Sequence, residues 1–212
     1  PRYNFIKELI GGCGNIKGRM YATSEEIELL NKYSMIGERG INQYKKIFSN
    51  ILKNITDPER GGFYTFLGYR EFQNKILGSK IKDASGKNIR QDGEILRKIS
   101  SDMIENMDNS LLIIDEVHNI EGNDWGESTE LIIKKSVGLK VVLLSATPMQ
   151  HRPSEIVQIL NLLSGNDVVA GNKKLKATKL FSGIGTDIET ISDENLNKIG
   201  NFARGKVSYL EV

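Results

Sequence analysis

Apolar residues recur at helical spacing through Ile41, Tyr44, Ile47, Phe48, Ile51 and Leu52, with Gln43, Lys45, Lys46 and Asn50 between them. Residues 1–60 therefore read as mostly helical. Asp57-Pro58 and Gly61-Gly62 break the pattern. Phe63 to Leu67 is aromatic and β-branched and predicts a strand, which Gly68 interrupts before Tyr69 and Phe72. The stretch from Gly78 to Asn88 is polar, with Asp83-Ala84-Ser85-Gly86-Lys87 as a surface loop. From Glu94 the helical period returns in Ile95, Leu96, Ile99, Met103, Ile104 and Met107, and Asp108-Asn109 ends it.

Two candidate strands follow, at 110–114 and at Lys140 to Leu144, with a candidate helix from Glu127 to Lys135 between them. Pro153-Ser154-Glu155 opens another helix, whose apolar face is Ile156, Val157, Ile159, Leu160 and Leu163. Helix alternating with apolar strand predicts an α/β fold around a parallel sheet. After Gly165 the character changes. Lys173, Lys174, Lys176 and Lys179 form a basic run, and Asp187, Glu189, Asp193 and Glu194 an acidic one. The basic run reads as a solvated face, and 165–200 as a connecting region.

Composition narrows the classes. With 39% hydrophobic and 26% charged residues, the 212-residue chain is an ordinary globular polypeptide. Twenty-nine basic against 27 acidic side chains leave a charge of +2, too small to argue for nucleic acid from bulk electrostatics. The single Cys13 excludes an internal disulfide and fits a reducing compartment. No apolar stretch approaches the roughly 20 residues that span a bilayer, so no membrane is expected. The opening Pro1-Arg2-Tyr3-Asn4 has neither an initiating Met nor a signal-peptide pattern and reads as an excerpt from a longer polypeptide.

The chemistry sits where the two apolar runs end. Asp115-Glu116-Val117-His118 follows Leu111 to Ile114, and Ser145-Ala146-Thr147 follows Val141 to Leu144. Ligands of open α/β sheets bind outside the carboxyl ends of the strands. A carboxylate pair there can hold Mg²⁺, Asp115 through water, while Glu116 orients and deprotonates an attacking water. His118, two residues on, could relay contact between a nucleotide bound there and a second lobe. Ser145 and Thr147 can bond to the carboxylate cluster and link its state to chain conformation. Either cluster alone is a weak match; the two in order, with one helix-sized spacer, make a strong one.

Ser110 to Asn119 (SLLIIDEVHN), Leu144 to Met149 (LSATPM) and Pro153 to Leu163 resemble motifs II and III of a superfamily 2 helicase or translocase. The run from Ser145 to Glu155 is similar to the Swi/Snf-like branch. Asn4 to Ile10, Tyr64 to Phe72 and Gly205 to Leu210 are similar to the poxvirus-type helicases. That group includes the early transcription factor ATPase subunit and nucleoside triphosphate phosphohydrolase I of large nucleocytoplasmic DNA viruses.

The resemblance implies a motor of two RecA-like lobes with ATP and Mg²⁺ between them and duplex nucleic acid across both. Asp115 and Glu116 would be the Walker B pair, with His118 completing motif II. Ser145, Ala146 and Thr147 would be motif III, coupling hydrolysis to movement. Thr65 to Phe72 would fall where the first lobe touches the nucleic-acid backbone, although Tyr64, Phe66, Tyr69 and Phe72 read as core rather than base-stacking residues. The implied partners are DNA or RNA and an RNA polymerase or transcription factors. The implied setting is the cytoplasm of an infected cell, in a viral factory or virion.

A phosphate-binding loop, Gly-x-x-x-x-Gly-Lys-Ser/Thr between strand and helix, is not found before Asp115. Gly11 to Gly18 puts its Lys before the Gly. Gly200 to Lys206 has the spacing, but Val207 replaces the hydroxyl and the segment follows motif III. The expectation is an incomplete RecA-like (P-loop NTPase) helicase lobe at 1–164, with 165–212 as connector toward a second lobe. By itself such a piece would hydrolyse ATP poorly or not at all. The alternative is a non-catalytic, helicase-derived scaffold that binds nucleic acid or transcription proteins; the absent loop favours it and the intact Asp115-Glu116 pair opposes it.

His118 and His151, the two histidines, need a further ligand beyond Asp115 to make a zinc site. Trp125 falls in a polar loop just past motif II. Gln150 and Arg152 read as solvated loop residues.

Overall fold

A computed structural model describes residues 2–11, 21–78, 80–91, 94–95, 97–120, 123–164, 174–186 and 188–208. The chain divides into two compact units, residues 1–67 and 68–212. The glycine-rich segment around Cys13 and the sequence at Gly165 to Lys173 lie outside the described residues, as does Asp187.

The first unit is helical, as its periodicity predicts. It holds α1 (Arg2–Gly11), α2 (Ser24–Met35) and α3 (Ile41–Thr56). Thr23 starts α2 by a reciprocal cap: its hydroxyl accepts the Glu26 N–H at 3.1 Å, and the Glu26 carboxylate accepts the Thr23 N–H at 2.9 Å. Ile6, Leu9, Tyr21, Leu30, Ile51 and Ile55 are buried together. The strand expected at 63–67 does not form. Tyr64 N–H instead donates to the Ile55 carbonyl at 3.2 Å, and the Tyr64 and Phe66 rings stack against each other. Aromatic composition here serves packing against the helices, and among the described residues no strand pairs with the segment.

The second unit opens with α4 (Tyr69–Leu77). An antiparallel hairpin follows, with β1 (Arg90–Gln91) paired to β2 (Glu94–Ile95). The helix expected from Glu94 to Met107 is therefore a correction. Its first residues are strand, Ser100 N–H is tied to the Ile76 carbonyl at 3.0 Å, and only α5 (Ser101–Glu105) is helical, capped by the Ser100 hydroxyl. The apolar period at Ile95, Ile99 and Ile104 had merged two elements into one.

β3 (Leu111–Ile114) and β4 (Lys140–Leu143) pair in parallel, with Leu111 opposite Lys140 and Ile114 opposite Leu143. The connection is α6 (Asp124–Lys135), since parallel neighbours need a crossover of a dozen or more residues. This is a mixed α/β fold with a small parallel sheet, as expected. At the strands' entry, Asn109 N–H donates to the Val137 carbonyl and Val137 N–H to the Asp108 carboxylate. Gly138 (φ +68°) is required there, because a Cβ would lie 2.5 Å from the Asn109 Oδ1. Ile114 is buried, whereas Leu111 (56% exposed), Ile113 and Val142 leave the opposite face open among the described residues.

After a short 3-10 turn at Pro153–Glu155 comes α7 (Ile156–Leu163). The region read as a connector contains α8 (Ala177–Leu180), β5 (Phe181–Ser182) paired antiparallel with β6 (Thr190–Ile191), and α9 (Asp193–Ala203). Leu180 and Phe181 are buried with Val157 of α7. Lys174, expected on a solvated face, is half-buried and paired with Glu130, and burial lowers its pKa. Gly200 lies inside α9 and Gly205 beyond its end, the reverse of the loop-then-helix order that phosphate binding needs.

Candidate functional site at the carboxyl ends of the parallel strands

Asp115 is the first residue past β3, and Leu144 continues the ladder past β4: its N–H donates to the Ile114 carbonyl at 2.8 Å, and its carbonyl accepts the Val117 N–H at 3.0 Å. These two bonds bring the acidic cluster and the hydroxyl cluster to one rim of the sheet. Asp115 is exposed, and its Oδ1 accepts the Glu116 N–H at 3.1 Å. Glu116 is half-exposed and has φ +54°, a left-handed conformation costing a non-glycine residue about 1–2 kcal/mol. Val117–Ile120 then form a 3-10 turn with Val117 and Ile120 buried.

His118 turns back under this rim, its side chain 9% exposed. Its Nδ1 lies 2.8 Å from the Ser145 Oγ and 3.4 Å from the Glu116 Oε2. The Ser145 Oγ also accepts the Thr147 N–H at 3.1 Å. One imidazole thus touches both clusters. Ser145 is half-buried, while Ala146 and Thr147 are exposed. The Glu155 carboxylate accepts the backbone N–H groups of Gln150, His151 and Arg152, which fixes the loop leaving the hydroxyl cluster.

Several supporting residues carry no signal in the sequence. The Tyr69 hydroxyl donates to the Asp115 carbonyl and to the Glu116 carbonyl, the latter at 3.1 Å. Its phenol is pushed up to about 12 by burial and by the Asp115 and Glu116 carboxylates. The Tyr69 ring stacks on Trp125, centroids 5.1 Å apart. Trp125 is not in a loop, as expected from the sequence, but in the first turn of α6, because Asn123 caps the helix by accepting the Trp125 N–H at 2.9 Å. That cap was the one readable signal. Asn119 donates to the Glu116 carbonyl and accepts from the Asn123 side chain, which closes the network. Of the four aromatics at 64–72, Phe72 is buried and Tyr69 is engaged by Trp125.

Among the described residues, no group of three or more His, Cys, Asp or Glu side chains could hold a metal ion. A hydrated Mg²⁺ needs less, one or two carboxylates plus phosphate oxygens, and the exposed Asp115 at the strand end fits that demand. No helix among the described residues is long and apolar enough to cross a membrane.

Fold and rim define an α/β protein whose candidate site joins a carboxylate pair to a hydroxyl pair at adjacent parallel strand ends. Sequence comparison gives the particular relatives. The chain is 33% identical over a 220-residue alignment, 99% of its length, to the Acanthamoeba polyphaga mimivirus protein named "Putative ATP-dependent RNA helicase". It is 25% identical over 197 residues, 76% of its length, to the early transcription factor large subunit homolog of African swine fever virus. It is 30% identical over 104 residues, 49% of its length, to the early transcription factor 70 kDa subunit of Yaba monkey tumor virus. The chain spans 17% of the length of the first two relatives and 15% of the third. No family model and no solved structure matches. The chain is a homologue of viral helicase-like and early-transcription-factor proteins, as its motifs led us to expect.

Proposed function

We propose that this chain supplies the hydrolytic and coupling segment of a RecA-like lobe in a viral, DEVH-box, superfamily 2 ATPase that acts on nucleic acid during transcription. The observation that carries this reading is the 2.8 Å contact from His118 to Ser145, which links the carboxylate cluster to the hydroxyl cluster. The relatives named as an ATP-dependent RNA helicase and as early transcription factor subunits support it.

Bound Mg²⁺ would neutralise charge on the ATP phosphates. Asp115 would hold that ion. Glu116, at the same rim, orients the attacking water and takes its proton, a task that demands hydrogen-bond reach. His118 contacts both Glu116 and Ser145, so a change at the carboxylate is transmitted to Ser145 and through it to the Thr147 backbone. DNA or RNA is the polymer, and an RNA polymerase or transcription factor the protein partner, in the cytoplasm of an infected cell.

The test is steady-state Mg-ATP turnover by the complete polypeptide, with and without DNA or RNA. Glu116→Gln is expected to lower turnover by roughly 10²–10⁴-fold while ATP affinity stays within about threefold. Near-normal turnover would remove Glu116 from the base role. Nucleic-acid binding without any wild-type turnover would favour the scaffold reading instead.

A further inference from the structure

We propose that Tyr69 is a positioning residue for the carboxylate pair, held in place by Trp125; this rests on the hydrolytic reading above. Its hydroxyl is shared between the carbonyls of Asp115 and Glu116, the two peptides that flank the left-handed residue. Turning Glu116 to a right-handed conformation would rotate the 116–117 peptide and carry its carbonyl away from both Tyr69 and Asn119. The hydroxyl therefore favours the backbone state in which the Glu116 side chain reaches the rim and meets His118.

The ring is itself fixed. Tyr69 begins α4, and its stack on Trp125, 18° from parallel, ties it to the first turn of α6. Trp125 follows Asn123, whose side chain returns to the Asn119 carbonyl. The circuit from Glu116 through Asn119, Asn123, Trp125 and Tyr69 comes back to Glu116. Such a closed set of contacts over-determines a strained residue, as strain at functional sites requires. Its phenol keeps the proton it donates across the physiological range.

Tyr69→Phe in the complete polypeptide removes the hydroxyl and retains the stack. The expected result is a kcat lowered about tenfold with the KM for ATP within about twofold, because a misplaced base costs the chemical step rather than binding. Trp125→Leu, which removes the stack, should lower kcat several-fold in the same manner. Amide exchange over residues 115–119 needs no turnover and should quicken at least about threefold in Tyr69→Phe. A kcat within twofold of wild type in both variants, or unchanged exchange in a folded Tyr69→Phe, overturns the proposal. Glu116→Gln separates the two readings. If it abolishes turnover while the Tyr69 and Trp125 variants are normal, only the positioning role falls. If it leaves turnover intact, the hydrolytic reading falls, and exchange alone decides whether Tyr69 holds the turn.

Discussion

Nδ1 of His118 and Oγ of Ser145 stand 2.8 Å apart, although 27 residues separate them in the chain. Two features bring them together: the parallel register of β3 and β4, and the Val117 to Leu144 backbone bond just beyond it. Removing the serine hydroxyl should therefore uncouple the clusters, while also releasing the Thr147 N–H that the same oxygen accepts. Ser145→Ala in the complete polypeptide is expected to keep ATP affinity within about twofold and to reduce nucleic-acid-stimulated turnover about tenfold, a single hydrogen bond's worth. Titration of turnover against DNA or RNA measures this, and unaltered stimulation would separate His118–Ser145 from coupling.

The Tyr69 phenol predicts a pH dependence. Its folded pKa is raised from 10.0 to about 12, so the unfolded chain loses this proton first. The associated stability is fully present below pH 10 and is lost as pH rises toward 12. Trp125 is the only tryptophan and lies against this ring, so its emission reports the ionisation directly. Fluorescence should change with a midpoint near pH 12 in wild type, and Tyr69→Phe should lack that transition.

Asp124 holds a cation that is almost out of solvent. Arg97 Nη2 lies 2.6 Å from its Oδ2, with the Arg97 side chain 8% exposed, and Gln73 donates to the same oxygen. Asp124→Ala would strand the guanidinium and remove an acidic residue from the start of α6, destabilising the protein by about 2 kcal/mol. Urea unfolding should show a lower midpoint at unchanged slope. Asp124→Asn, which can still accept these bonds, should lose less.

Gly126 allows the first turn of α6 to lie against the turn after the carboxylate pair. A Cβ there would meet the Ile120 carbonyl oxygen at 2.4 Å and Gln158 Nε2 at 2.9 Å. Gly126→Ala should destabilise by about 1–3 kcal/mol even though alanine favours helix, because the backbone contact cannot yield. Thermal unfolding measures it; a stabilised variant would show that the turn can move.

The amino-acid sequence by itself determined which elements border the proposed site. Four consecutive apolar residues before Asp115, and four before Ser145, are too short for a typical helix and flank a candidate amphipathic one, which reads as strand, crossover, strand. That local pattern is enough to set strand, crossover and strand in parallel. It does not encode partners far along the chain. Phe63 to Leu67 has strand composition but packs on helices, and the apolar period from Ile95 to Ile104 spans a strand and a separate helix. Each outcome depends on what lies opposite, which periodicity does not report. The same holds at the site. Asp115, Glu116, His118 and Ser145 were legible as types at fixed spacing, but Tyr69 reaches the Asp115 and Glu116 carbonyls from 46 and 47 residues away. Only tertiary packing puts that hydroxyl under a left-handed glutamate, since long-range hydrogen bonds and backbone strain arise from the folded neighbourhood and leave no mark on either residue's surroundings in sequence.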